Sequence, residues 1–198
     1  MPVYHFTSTL ALPWIVKSGV LQLSVLADAD GSADYLWATT DLNGECTAAG
    51  LHFLSEEYEL VEQGRAKAIR FTLPDTGFVP YLELKKKPAD HHWMTQGDIV
   101  RLGASKWRCR PDPLPFASAL RVDILWGYAR DRIEVSSDAW DRIEVTPEHC
   151  FDISDDPPTM GIIIDGFHFY SMATGGGYHV PDREELAEMW DDREWSED

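Results

Sequence analysis

His5 and Thr7 stand two residues apart in Val3-Tyr4-His5-Phe6-Thr7. In an extended chain, side chains at that spacing leave the same face. The two can therefore hold one ligand with hydrogen bonds from a single side. Trp37 and Thr39 repeat the spacing in Leu36-Trp37-Ala38-Thr39-Thr40, with Tyr35 just ahead as a rival aromatic surface. Arg70 lies between Ile69 and Phe71. A guanidinium there is either an outward, solvated side chain or a fixed two-pronged grip for an anion. Lys17 ends a helical stretch, where a cation suits the helix dipole. Carboxylates flanked by apolar residues recur on extended segments: Glu83 between Leu82 and Leu84, Asp123 in Leu120 to Trp126, Glu134 in Ile133-Glu134-Val135, and Glu144 in Ile143-Glu144-Val145. Phosphate-cradling glycine loops, H-E-x-x-H, C-x-x-C and G-x-S-x-G are all absent. His91 and His92 are adjacent, which makes a poor chelate on a strand, so no metal site is expected.

These residues need strands to carry them. Val3 to Thr7 alternates as a half-buried strand does. Leu10 to Ser18 reads as a helix, with Pro13 near its first turn and Gly19 just past its end. Val20 to Leu26 reads as extended and Ala27 to Asp34 as a loop. A strand follows at 35–40, a helix at 47–64, and strands at 67–73, 79–85 and 120–126; 91–102 is a short helix. Pro111, Pro113 and Pro115 keep 109–116 out of a sheet centre. Asp131 to Val135 and Asp141 to Val145 are near-copies, too closely spaced for a repeat architecture. Asp155-Asp156-Pro157-Pro158 reads as a linker. Beyond it, Gly161 to Ile164 and Phe167 to Ser171 flank Asp165-Gly166, the signature of a tight hairpin. The expected division is residues 1–153 as one domain and 154–198 as a hairpin with an acidic extension.

The ordered set of His5 and Thr7 on a first strand, the Pro13 to Gly19 helix, the Trp37–Thr39 strand and a glutamate on a late strand resembles the ADP-ribosyltransferase group. Within that group it is most similar to DarT-like toxins, RNA 2′-phosphotransferases and poly-ADP-ribose polymerase relatives. The likeness is most specific over residues 3–40 and looser over 66–145. It implies an α+β fold of split antiparallel sheets and NAD as the substrate. It also implies mono-ADP-ribosyl transfer to a protein or nucleic acid, in a toxin or phage–host setting. His5 would contact the nicotinamide ribose and Thr7 would support it. Trp37 or Tyr35 would stack on the ring beside Thr39, and Arg70 would grip the pyrophosphate. Glu144, or failing it Glu134, would stabilise an oxocarbenium-like state. Asp123 occupies the more apolar late strand where the family places its glutamate.

The 198 residues hold 17 Lys+Arg against 34 Asp+Glu, a net charge of −17. That balance argues against generic affinity for phosphate backbones and against anionic membranes. The last 17 residues alone carry nine acids and two arginines. An alternative function follows from charge: a non-catalytic, DNA-mimic-like protein that presents carboxylates to a basic partner. Cys46, Cys109 and Cys150 show no disulfide or zinc pattern, and a reducing cytoplasm is the expected setting.

Overall fold

A computed structural model describes residues 1–23, 35–43, 60–61, 63–84, 103–127, 139–174 and 177–194. The helix expected over 47–64 (all but its last turn), the segment 91–102, the first Asp-Arg-Ile-Glu-Val copy with Glu134, and the loop at 27–34 lie outside these residues. The described chain is α+β, with thirteen strands and two α-helices. The strands are β1 (Val3–Ser8), β2 (Val20–Leu21), β3 (Leu36–Thr39), β4 (Ala68–Leu73), β5 (Val79–Pro80), β6 (Trp107–Arg110), β7 (Leu114–Pro115), β8 (Arg121–Leu125), β9 (Trp140–Ile143), β10 (Cys150–Asp155), β11 (Pro158–Ile164), β12 (Phe167–Thr174) and β13 (Gly177–His179). The helices are α1 (Leu12–Ser18) and α2 (Arg183–Glu194).

A seven-stranded sheet runs β5-β6-β3-β1-β4-β8-β9, a four-stranded sheet runs β10-β11-β12-β13, and β2 pairs with β7. Every pairing among the described strands is antiparallel. β1 is central and buries apolar residues on both faces, which its alternation does not predict, while Tyr4, His5 and Thr7 stay half-buried. Val3 and Phe71 enter the main core on one face, while Phe6, Ala68, Leu125 and Trp140 form a separate cluster on the other.

α1 is punctuated as its sequence predicts. Pro13 sits in the first turn, and Gly19 adopts φ 71° while its N–H donates to the Ile15 carbonyl. That left-handed closure suits glycine because it has no Cβ. The Asp165-Gly166 turn has φ of 50° and 81°, joining β11 and β12 as expected of a turn with two positive φ values. Three expectations fail. The strand at 79–85 shortens to β5, with Tyr81–Glu83 forming a 3-10 turn. The linker at 155–158 is the tight turn between β10 and β11. The boundary at 153/154 cuts through β10, and Ile162, Ile164 and Phe169 share one core with Val3, Leu36 and Ile69. Burial of that shared apolar surface holds the two sheets and α1 together.

Candidate functional site

Strand register decides which side chains meet. Phe71 lies opposite His5 and Ile69 opposite Thr7, so these four share one face of the large sheet. Thr39 lies opposite Tyr4 and Arg70 opposite Phe6, which puts Trp37, Thr39 and Arg70 on the other face. The expected meeting of His5, Trp37 and a late glutamate does not occur.

On the first face, His5 and Thr7 line a cleft of about 410 Å³. Its other walls include Trp14 and Ser18 from α1, Leu21 from β2 and Tyr178 from β13. Trp14 and Tyr178 stack with ring centres 5.9 Å apart and planes within 17°. The Trp14 indole N–H donates to Ser171 Oγ at 2.8 Å, which fixes the ring. The volume falls within the range of small-ligand pockets.

His5 is the informative group. Its Nδ1 lies 2.7 Å from the Trp37 carbonyl oxygen. A carbonyl only accepts, so Nδ1 carries the proton and Nε2 is left with a lone pair. The ring also stacks on Phe71 at 6.0 Å. Burial holds its pKa below the ordinary histidine value, and the bond to Trp37 only partly offsets this. His5 is thus a neutral acceptor. No described residue lining the cleft carries a formal charge at neutral pH. The site suits a ligand that offers a donor, such as a hydroxyl, beside a flat ring.

The opposite face holds its polar groups differently. Arg70 is 3% exposed, so it is neither solvated nor open to a ligand. Its guanidinium donates to Asp123 at 3.0 and 3.2 Å and to the Leu42 carbonyl at 2.8 Å. It also lies 4.6 Å from the Trp140 ring centre. The pyrophosphate grip expected of it is overturned because the side chain is buried and each of its three nitrogens already donates to a protein oxygen. Asp123 is fully buried and also pairs with Arg121. Trp37 packs among Tyr35, Tyr81 and Trp107. Burial raises the Tyr35 pKa, and Thr39 Oγ1 accepts the Asp41 N–H at 3.1 Å. Tyr35, Trp37 and Thr39 are therefore structural rather than ligand-facing.

The remaining acids lie apart from His5. Glu144 is exposed between Ile143 and Val145, both of which turn into the main core, so it points away from the cleft. Glu83 is exposed on the 3-10 turn beyond β5. Burial pushes the Cys150 thiol up to about 11, so it is no nucleophile. Cys109 and Cys150 form no disulfide among the described residues. The sequence patterns gave neither Trp14 nor Tyr178 a part in a site. The available signal was an indole directly after Pro13 and a tyrosine beside three glycines.

No protein-family model matches the chain, and neither a curated protein nor a solved structure does. Among the described residues no helix is long and apolar enough to cross a membrane.

Proposed function

We propose that the protein binds NAD through its nicotinamide riboside half in the His5–Thr7 cleft and transfers ADP-ribose from it. The observation that carries this reading is a neutral, acceptor-only His5 beside Thr7 in a cleft walled by a fixed indole. A ribose hydroxyl donates to His5 Nε2, and Thr7 can donate to or accept from its neighbour. The oxidised nicotinamide ring is a pyridinium cation, which is favoured over an indole face by cation–π attraction. Transfer needs a carboxylate near the ribose to stabilise developing positive charge. The described cleft contains none, and Glu144, Glu83 and Asp123 point elsewhere. The reading therefore assigns the step to Glu134, the remaining late-strand glutamate of the resemblance.

Thermal shift and nicotinamide release test binding and transfer separately. NAD should raise the melting temperature, because a ligand bound only by the folded state stabilises it. His5→Ala should abolish the rise. Glu134→Gln should keep the rise and lose nicotinamide release. No shift with NAD at millimolar concentration would reject the reading.

A second reading rests on charge. Helix α2 carries six acids and two arginines, which favours a basic macromolecular partner. Salt-sensitive capture by a basic protein, lost when α2 is neutralised, would support it.

A further inference from the structure

The four-stranded sheet turns one face to the core and one away from it. Ile162 on β11 lies opposite Phe169 on β12, and both are buried in the main core. Side chains one position along leave by the other face. There Gly161 lies between Phe151 on β10 and Tyr170 on β12, and Ile163 lies opposite His168. The rings of Phe151, His168 and Tyr170 gather on this outward face, with centres 6.3–6.4 Å apart in each pairing and planes inclined by 62–83°. Gly161 makes the group possible. A Cβ on it would lie 2.2 Å from Phe151 Cζ, so the Phe151 ring occupies the space a side chain would take.

Core packing does not account for these rings. Among the described residues none of the three belongs to a buried apolar cluster. His168 is exposed, Phe151 and Tyr170 are half-buried, and Ile163 beside them is exposed. Charge selects what suits such a face. Between Arg142 and Arg183 the sequence has seven acids and no Lys or Arg. His179 lies opposite Met172 on the same outward face and pairs with Glu185 of α2 at 3.5 Å. Helix α2 also packs against β10, so the face is bounded by an acidic helix. Aromatic rings carry negative potential on their faces. Rings and carboxylates here therefore favour a ligand of the same sign, a cation. An anion is repelled, and an uncharged ligand gains nothing from the acids.

We propose that this face docks a basic protein segment by seating an arginine guanidinium on the rings of Phe151, His168 and Tyr170. The assignment rests on the charge-based reading above and names the surface and the side chain that reading leaves open. A guanidinium is flat, always charged and weakly hydrated, so it can lie on a ring while its N–H groups donate to a carboxylate at the margin. A lysine ammonium fits less well, because it is a compact and strongly hydrated charge.

A fluorescently labelled hexa-arginine peptide serves as the probe, its binding to the intact chain read by anisotropy at low salt. Wild type should bind it more tightly than a hexalysine peptide of equal charge. Phe151→Leu and Tyr170→Leu keep apolar bulk but remove a ring, and each should weaken hexa-arginine binding about three- to fivefold. Tyr170→Phe keeps the ring and should bind as wild type does. An NMR titration of wild type needs no variant: the ring signals of Phe151 and His168 should move, and those of Trp37 should stay in place. Equal affinity in wild type and both leucine variants, or shifts confined to α2, would overturn the ring face and leave the charge reading standing. Equal binding of the two peptides would overturn the guanidinium assignment. Failure of wild type to bind hexa-arginine at all would overturn both the ring face and the charge reading.

Discussion

The two faces of the seven-stranded sheet carry similar polar residues and treat them in opposite ways. On one face, Arg70 and Asp123 are buried and bonded to each other and to the protein around them. On the other, His5 has one nitrogen fixed by the Trp37 carbonyl and the second without a partner among the described residues, beside Thr7 in an open cleft. A buried group whose bonds are all made inside the protein specifies the fold. A group held in position with capacity left over is equipped to meet a ligand.

The largest test breaks the closed face. Arg70→Ala leaves Asp123 buried without its main partner and should cost about 3–5 kcal/mol, measured by urea unfolding. Replacing both members with apolar residues of similar size should cost far less. If the single and double changes cost the same, the pair is not what constrains this face. Trp37→Ala should lose about 3 kcal/mol of packing yet leave NAD binding at the native level once folded. A selective loss of NAD affinity would return Trp37 to the ligand site.

The open face is sharpened by pH. Burial lowers the His5 pKa in the folded state, so the unfolded chain binds the proton more readily. The stability contributed by neutral His5 is complete above the unfolded value of about 6.5. It declines as pH falls from there towards the lower folded value. Thermal unfolding of His5→Gln should therefore show a flatter slope than wild type just below pH 6.5. The smallest effect is expected for Glu144→Gln, an exposed change worth under about 0.5 kcal/mol. Nicotinamide release should also be unchanged, because Glu144 points away from the cleft.

Local signals in the sequence were reliable where the determining contacts are local. Pro13 and Gly19 bound α1, Asp165-Gly166 turns the hairpin, and the spacing of His5 and Thr7 puts them together. Period-two alternation gives two faces for each strand but does not say which face of β3 matches which face of β1. That depends on the register of Tyr4 against Thr39, and a slip of one residue would exchange the faces. The expectation for Trp37 failed on that point. Arg70 was misread for a related reason: its partner Asp123 comes from a strand far along the chain. The Trp14–Tyr178 wall is likewise made by tertiary packing, and neither segment alone announces it.

Tyr178 sits on β13, an outermost strand of the four-stranded sheet that pairs with β12 through three residues. Edge strands with few ladder bonds are among the first parts of a sheet to loosen. The cleft therefore has one side on a central strand, His5 and Thr7, and one at a sheet margin, where Tyr178 packs beside the buried Leu10, Val61 and Ala66. The two walls of the cleft thus belong to different sheets, and their distance from each other depends on the packing between those sheets rather than on any single ladder.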